Sequence, residues 1–225
     1  MAAILIYSEN SALALELLTA AQFLAQEKAL EVKAVCINNE TQVAELVSRG
    51  AATYHIKNEN LNVADTAAMA AALEQAVKEL DASIVILASN RRGKELAGRL
   101  AQKIEAGCLT DVSGLTVVDG KVQCRRNALS GAVIATQQIE SGKQVIALAP
   151  RSFEAAPEAQ GGNSQSLETQ AAATIKLIDS RSKAGDMVDI SAAEILVIVG
   201  QGIEQEDLES VEKIRDTSSS HNRSN

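Results

Sequence analysis

Three groups of residues have the types and spacing to do chemistry. Asn90-Arg91-Arg92-Gly93-Lys94 follows the apolar run SIVILA at 83–88. Open α/β sheets bind ligands beyond the carboxyl ends of their strands, so Arg91 and Lys94, with Arg92 between them, are placed to meet an anion or an acidic partner surface. The plainer reading is a solvated helix start. Positive charge at a helix N-terminus opposes the dipole by about 0.3–1 kcal/mol per charge, which favours a functional reason for keeping it. The second group is Arg125-Arg126, ahead of Asn127-Ala128-Leu129-Ser130-Gly131. Adjacent strand residues point to opposite faces, so at most one of the two arginines faces a given cleft. Gly131, between Ser130 and Ala132, predicts a close backbone approach, with an exposed, bulged strand pair as the plainer alternative. The third group is Gly200-Gln201-Gly202, after an apolar run and before a helical pattern. A helix N-terminus there can hold a phosphate. A dinucleotide fingerprint needs a third glycine at position 205, which is Gln205, so a tight turn is the simpler reading. No GxxxxGK[ST] is present, which removes the P-loop class.

Other chemistry has few carriers. His55 and His221 are the two histidines, and Cys36, Cys108 and Cys124 are widely spaced. No pair of them has zinc-ligand spacing. A Ser-His-Asp or Cys-His set would depend on His55, which sits in a short strand-like run where packing explains most lone histidines. The chain has 225 residues, 21 bases and 29 acids, a net charge of −8, and four aromatics: Tyr7, Phe23, Tyr54 and Phe153. The acidic balance and the lack of stacking platforms disfavour nucleic acid. No apolar stretch is long enough to span a membrane. MAAILIYSEN lacks the basic start and apolar length of a signal peptide. The expected setting is therefore cytoplasmic, with reduced thiols.

The elements that position these groups alternate between strand and helix. Strands are predicted at 3–7, 32–37, 53–56 and 83–88. Helices are predicted at 11–27 (capped by Asn10 or Ser11), 39–48 (ending at Gly50), 63–80 and 93–106 (ending at Gly107). Asn39 and Gln42 stand at capping-box spacing. Such alternation demands parallel strands and right-handed crossovers. Strands at 112–118, 121–127, 132–138 and 144–149 follow, with Asp119-Gly120 and Ser141-Gly142 as hairpin signals. The fold class is thus α/β: a three-layer, mostly parallel sheet with added antiparallel strands over 1–150. Residues 151–185 read as a linker, polar and rich in Gly, Ser and Gln at 157–170, with a further strand at 172–178. EILVIV at 194–199 predicts a buried strand and 204–214 a helix, the start of an incomplete second α/β unit over 186–214. Residues 186–216 carry nine acids and two bases, a strongly anionic face. Residues 215–225 read as a disordered tail.

The segments AILIYSE, SIVILASNRRGKELAGRLAQKIEAGCLTDVSGL, RRNALSGAVIAT and ALAPRSFEAA resemble the alpha subunit of electron transfer flavoprotein, the FixB family of bacteria. SAAEILVIVGQGIEQEDLESVEKI resembles the start of that subunit's C-terminal, FAD-binding domain. The resemblance implies an α/β domain packed on a beta subunit and a heterodimer that uses FAD. The heterodimer would carry electrons from acyl-CoA dehydrogenase-type or other donors to a quinone oxidoreductase or another acceptor. It implies an electron carrier and not an enzyme. Gly200 and Gly202 are then what remains of the flavin-domain turn, and by family position Arg126 faces the cleft between subunits; Arg91 and Lys94, from their place after the strand at 83–88, line a partner or anion surface. The family's main flavin contacts have no counterpart after Ile214, so the expectation is a chain cut short early in the flavin domain, with a doubtful FAD site. Two further readings are a flavin-free module that docks a beta-like partner, and an adenine-nucleotide-binding α/β enzyme, the latter resting on fold analogy alone.

Overall fold

The computed structural model describes residues 2–179, 196–200, 202–204 and 207–213. The chain divides into two compact units, 1–177 and 178–225.

The first unit is built around central strands that carry no charge. β1 (Ala3–Tyr7), β4 (Ala82–Ala88) and β8 (Gln144–Leu148) are apolar runs buried on both faces. Such runs are stable only when helices cover both sides of the sheet. α1 (Ser11–Lys28) and α2 (Glu40–Ser48) cover one face, where Ile4, Ile6, Leu17, Leu24 and Leu46 form the core. α3 (Thr66–Glu79) and α4 (Arg91–Lys103) cover the other with Leu5, Tyr7, Leu73 and Leu100. With β2 (Glu31–Ile37), β3 (Ala52–Ile56), β5 (Gly107–Val118), β6 (Lys121–Ala128), β7 (Val133–Gln138) and β9 (Asn163–Ser166), the sheet runs β7-β6-β5-β8-β4-β1-β2-β3-β9. Every pairing is parallel except β5–β6 and β6–β7. This is the α/β class expected, with three layers and an antiparallel extension. Strand order reverses between β1 and β4.

The four α-helices described in the first unit start the same way. Asn10, Asn39, Asp65 and Asn90 each accept the backbone N–H three residues on, from Leu13, Gln42, Ala68 and Gly93. A short side-chain oxygen satisfies one of the orphan N–H groups of the first turn. Asn10, not Ser11, caps α1. The expected capping box at Asn39 forms only in half, because the Gln42 amide donates instead to the Ser8 carbonyl, 3.0 Å away.

Several expectations are corrected. α4 begins at Arg91, two residues early, because Asn90 is its cap. Gly107 opens β5 and does not end the helix; the left-handed residue there is Glu105 (φ 55°). Ser141-Gly142 makes no hairpin. Ser141 Oγ accepts from the Gly107 N–H and donates to the Lys143 carbonyl. The chain thereby returns to β8, which inserts parallel between β4 and β5. Gly131 has φ 89° and open space around it, so turn conformation rather than close approach requires it. The polar stretch 157–170 is not simply a linker: it supplies β9 on the edge next to β3. The strand expected at 172–178 does not form, and Thr174 and Ile175 are held by Asp65 instead.

In the second unit, Leu196–Val199 is exposed and without regular structure, not the buried strand expected. Residues 208–213 are helical. The expectations for 180–195 and 214–225 lie outside the described residues.

Candidate functional site

The carboxyl ends of β1 and β4 and the middle of β5 bring together Glu9, Ser89, Asn90, Lys94 and Asp111. Ser89 and Asn90 follow the last residue of β4. The Ser89 N–H donates to the Leu148 carbonyl at 2.6 Å, which ties the turn after β4 to its parallel neighbour β8. α4 leaves this turn so closely that a Cβ on Gly93 would sit 1.8 Å from the Ala88 carbonyl oxygen. Only glycine lets the helix start there. The Asn90 amide accepts from the Gly93 N–H and donates to Glu9 Oε1 at 3.0 Å, joining the ends of β4 and β1.

Asp111 is the centre of this edge. β5 has register breaks between Leu109 and Val112 against β8, and between Val112 and Gly114 against β6. Asp111 lies at the first break with φ 57°. Aspartate tolerates this left-handed conformation better than most residues. The breaks let one 12-residue strand run parallel to β8 in its first half and antiparallel to β6 in its second. Asp111 N–H donates to Ser89 Oγ at 2.9 Å, and Ser89 Oγ donates to Asp111 Oδ1 at 3.1 Å. Lys94 Nζ pairs with the same oxygen at 2.8 Å. Burial pushes the carboxyl up, but hydrogen bonds from Lys94 and Ser89 and the charges of Lys94 and Arg126 outweigh it and hold Asp111 below its ordinary range.

The residues singled out from sequence therefore separate. Lys94 pairs with Asp111, and Arg126 acts on that carboxylate through its charge alone. Arg91 is exposed on the first turn of α4 and its charge acts on Glu95. The charge of Arg92 acts on Tyr7, whose phenol burial and Glu9 nonetheless push well above its ordinary range. Arg125 points away from Arg126 and lies over Gly114, where a Cβ would stand 3.1 Å from its guanidinium. Gly200 and Gly202 belong to the second unit. Ile203 N–H donates to the Gly200 carbonyl at 3.3 Å, closing a tight turn. A Cβ at either glycine would meet nothing within 4 Å. The described residues of this turn thus form no cradle that a flavin would fill.

Asp111, Ser89 and Glu9 were not singled out from sequence. Their signal is faint: Asp111 is the one acid between Glu105 and Asp119, set among apolar strand residues. His55, 8% exposed on β3, has a lowered pKa from burial and the nearby Lys57, against the opposing pull of Glu40. Among the described residues no nucleophile pairs with it, and no cluster could hold a metal ion. A pocket of about 240 Å³ lies beside Tyr7, Asn38, Asn62 and Met69, and its lining contains no basic side chain for a nucleotide phosphate. No described helix is long and apolar enough to cross a membrane.

Comparison with known proteins agrees with this architecture. Residues 6–175 match the family described as electron transfer flavoprotein domain. Protein FixB of Escherichia coli O17:K52:H18 (strain UMN026 / ExPEC) is 32% identical over 127 residues, 55% of this chain and 41% of that protein. Protein FixB of Escherichia coli O1:K1 / APEC is 32% identical over 123 residues, 53% of this chain and 39% of that protein. The matched region spans about two fifths of the length of these curated relatives.

Proposed function

Because the chain belongs to the electron transfer flavoprotein domain family, we propose that it serves as the alpha-type subunit of an electron transfer flavoprotein. The observation that carries this reading is the extent of the family match. It covers 6–175, nearly the whole of the first unit at 1–177. The FixB relatives support the alpha type. In this reading the partner is a beta subunit, and the first unit is the platform on which the two subunits meet. FAD supplies the electron-carrying chemistry of the assembly, taking electrons from an acyl-CoA dehydrogenase-type or other donor and passing them to a quinone oxidoreductase or another acceptor. The two glycines of the 200–202 turn are not packed as a flavin cradle, so the proposal assigns the described residues scaffolding and partner contact rather than redox steps. Lys94, paired with Asp111, and Arg126, whose charge acts on it, belong to the surface that faces the cleft between subunits; Arg91 lies on the same helix turn as Lys94. The setting is cytoplasmic, in keeping with three free cysteines.

The experiment is co-expression with the beta subunit encoded in the same genome, followed by visible spectroscopy of the purified complex. A yellow complex whose flavin is bleached by a reduced dehydrogenase is the expected result. A complex that forms without flavin would favour the second reading, a flavin-free docking module, which the open Gly200–Gly202 turn supports. No complex at all would overturn both.

A further inference from the structure

The pocket of about 240 Å³ lies at the carboxyl ends of β1 and β2, beside the point where strand order reverses. Open α/β sheets bind small molecules at such a point. The reversal itself, between β1 and β4, is bridged by the hydrogen bond from Asn90 to Glu9, so the open volume lies on the β1–β2 side. The walls are preformed. Asn38, at φ 54°, donates from Nδ2 to the Asn58 and Leu61 carbonyls at 2.7 and 3.0 Å and accepts the Asn58 N–H at 2.8 Å. These bonds pin the loop after β3 against the end of β2. The buried Gln42 amide pins α2 to the end of β1 through the Ser8 carbonyl. A pocket held in this way keeps its shape when empty and loses little freedom on binding.

The fold does not use up the polar groups of the lining. Tyr7 is 4% exposed and borders the pocket, yet its hydroxyl makes no hydrogen bond among the described residues. A buried hydroxyl is costly unless something in the pocket meets it. Asn39 and Asn62 accept the Gln42 and Ala64 N–H groups with their side-chain oxygens, which leaves their amide N–H groups as donors. Glu9 accepts from Asn90 with one oxygen, and a carboxylate has further acceptor sites. The lining has no basic group to neutralise an anion, and Ile37, Leu61 and Met69 give it an apolar side. A carboxylate, two amide donors and a hydroxyl that both gives and accepts are all satisfied by adjacent hydroxyl groups on one ring. We infer that this pocket binds a neutral vicinal diol, either a free pentose or the ribose of a nucleoside. Glu9 accepts from the two hydroxyls, Asn39, Asn62 and Tyr7 complete their hydrogen bonds, and the apolar residues carry the C–H face. The inference does not depend on the two-subunit reading above.

The test is calorimetric titration of the full chain with ribose, adenosine, 2-deoxyribose, 2′-deoxyadenosine and AMP. Binding of ribose or adenosine is expected, and these two arms separate a free sugar from a nucleoside. The deoxy analogue of whichever binds is expected to be at least about tenfold weaker, because a site built around a hydroxyl rejects the analogue that lacks it. AMP is expected to bind more weakly than adenosine, since its phosphate meets Glu9 and no cation in the lining. Tyr7→Phe keeps the buried ring and is expected to weaken binding about fivefold. Asn62→Ala, on the loop, gives the same readout should Tyr7→Phe not fold. The chain has two tyrosines, so ring-labelled protein gives two sets of NMR signals. The Tyr7 set is expected to shift with ligand and the Tyr54 set to stay. No binding of ribose or adenosine at about 10 mM would overturn the site. Deoxy analogues that bind as tightly would overturn the diol, and AMP binding tighter than adenosine would overturn the neutral class. A ligand that shifts Tyr54 and leaves Tyr7 in place would overturn the pocket.

Discussion

Thr174 donates twice to Asp65, from its backbone N–H to Oδ2 at 2.6 Å and from Oγ1 to Oδ1 at 2.7 Å, across 109 residues of chain. The same carboxylate caps α3 through the Ala68 N–H and also accepts from Ile175. One side chain therefore starts a helix and fastens the last segment of the first unit over it. Leu167 and Ala171 are buried along that segment, and Thr169 and Gln170 are held by Gln75.

Asp65→Ala should release this strap. Loss of a cap and of charge-assisted hydrogen bonds together cost about 2 kcal/mol or more. Hydrogen exchange at 167–175 is expected to accelerate far more than exchange in β1 or β4. Equal acceleration throughout the unit would show that the strap has no separate stability.

Acid should loosen the same contact. Burial pushes the Asp65 carboxyl up, but the donors from Ala68, Thr174 and Ile175 outweigh it and hold it at about 2. The unfolded chain then binds the proton more readily than the folded one, so stability present at neutral pH is lost as pH falls from about 4 toward that value. Denaturation of the wild type across this range should show the loss, and Asp65→Asn should remove Asp65's share of it.

Gly93→Ala should destabilise by about 3 kcal/mol, because its Cβ would collide with backbone that cannot move. Gly98→Ala, in the same helix and with open space around it, should stabilise by about 0.5–1 kcal/mol. Chemical denaturation of the two variants compares the same substitution in the two environments.

Asp111 and Lys94 are about half exposed, so their coupling in a double-mutant cycle should stay near or below 1 kcal/mol. Asp111→Val should cost more than Asp111→Ala, since a β-branched residue fits a left-handed backbone poorly. Equal losses would locate the effect in the ion pair alone.

Burial pushes the thiols of Cys36 and Cys124 up to about 12 and about 11. Both stay protonated at pH 8 and are shielded, so a disulfide reagent should label them in the unfolded chain but only slowly in the native one. Fast labelling of both in native protein would contradict this burial.

The local chemistry of the sequence determined a good part of this protein. Uncharged runs such as AILIY and SIVILA can be stable only between two helical layers, which fixed strand type, sheet direction and class. Asn10 and Asn39 marked helix starts because a short oxygen and free N–H groups meet within one turn. Basic groups at Arg91, Lys94 and Arg126 were visible as residue types. Their grouping was not. Lys94 pairs with Asp111, and Arg126 acts on it through its charge, because β5 breaks register twice and turns Asp111 toward Ser89. Such a break depends on which strands pair, which composition does not encode. The same holds for β8, whose turn signal suggested a hairpin while the space between β4 and β5 drew it inward. It holds again for the polar segment 157–170, which looks like a linker by itself. Only a free edge beside β3 and the Asp65 carboxylate, both distant in sequence, make it part of the fold.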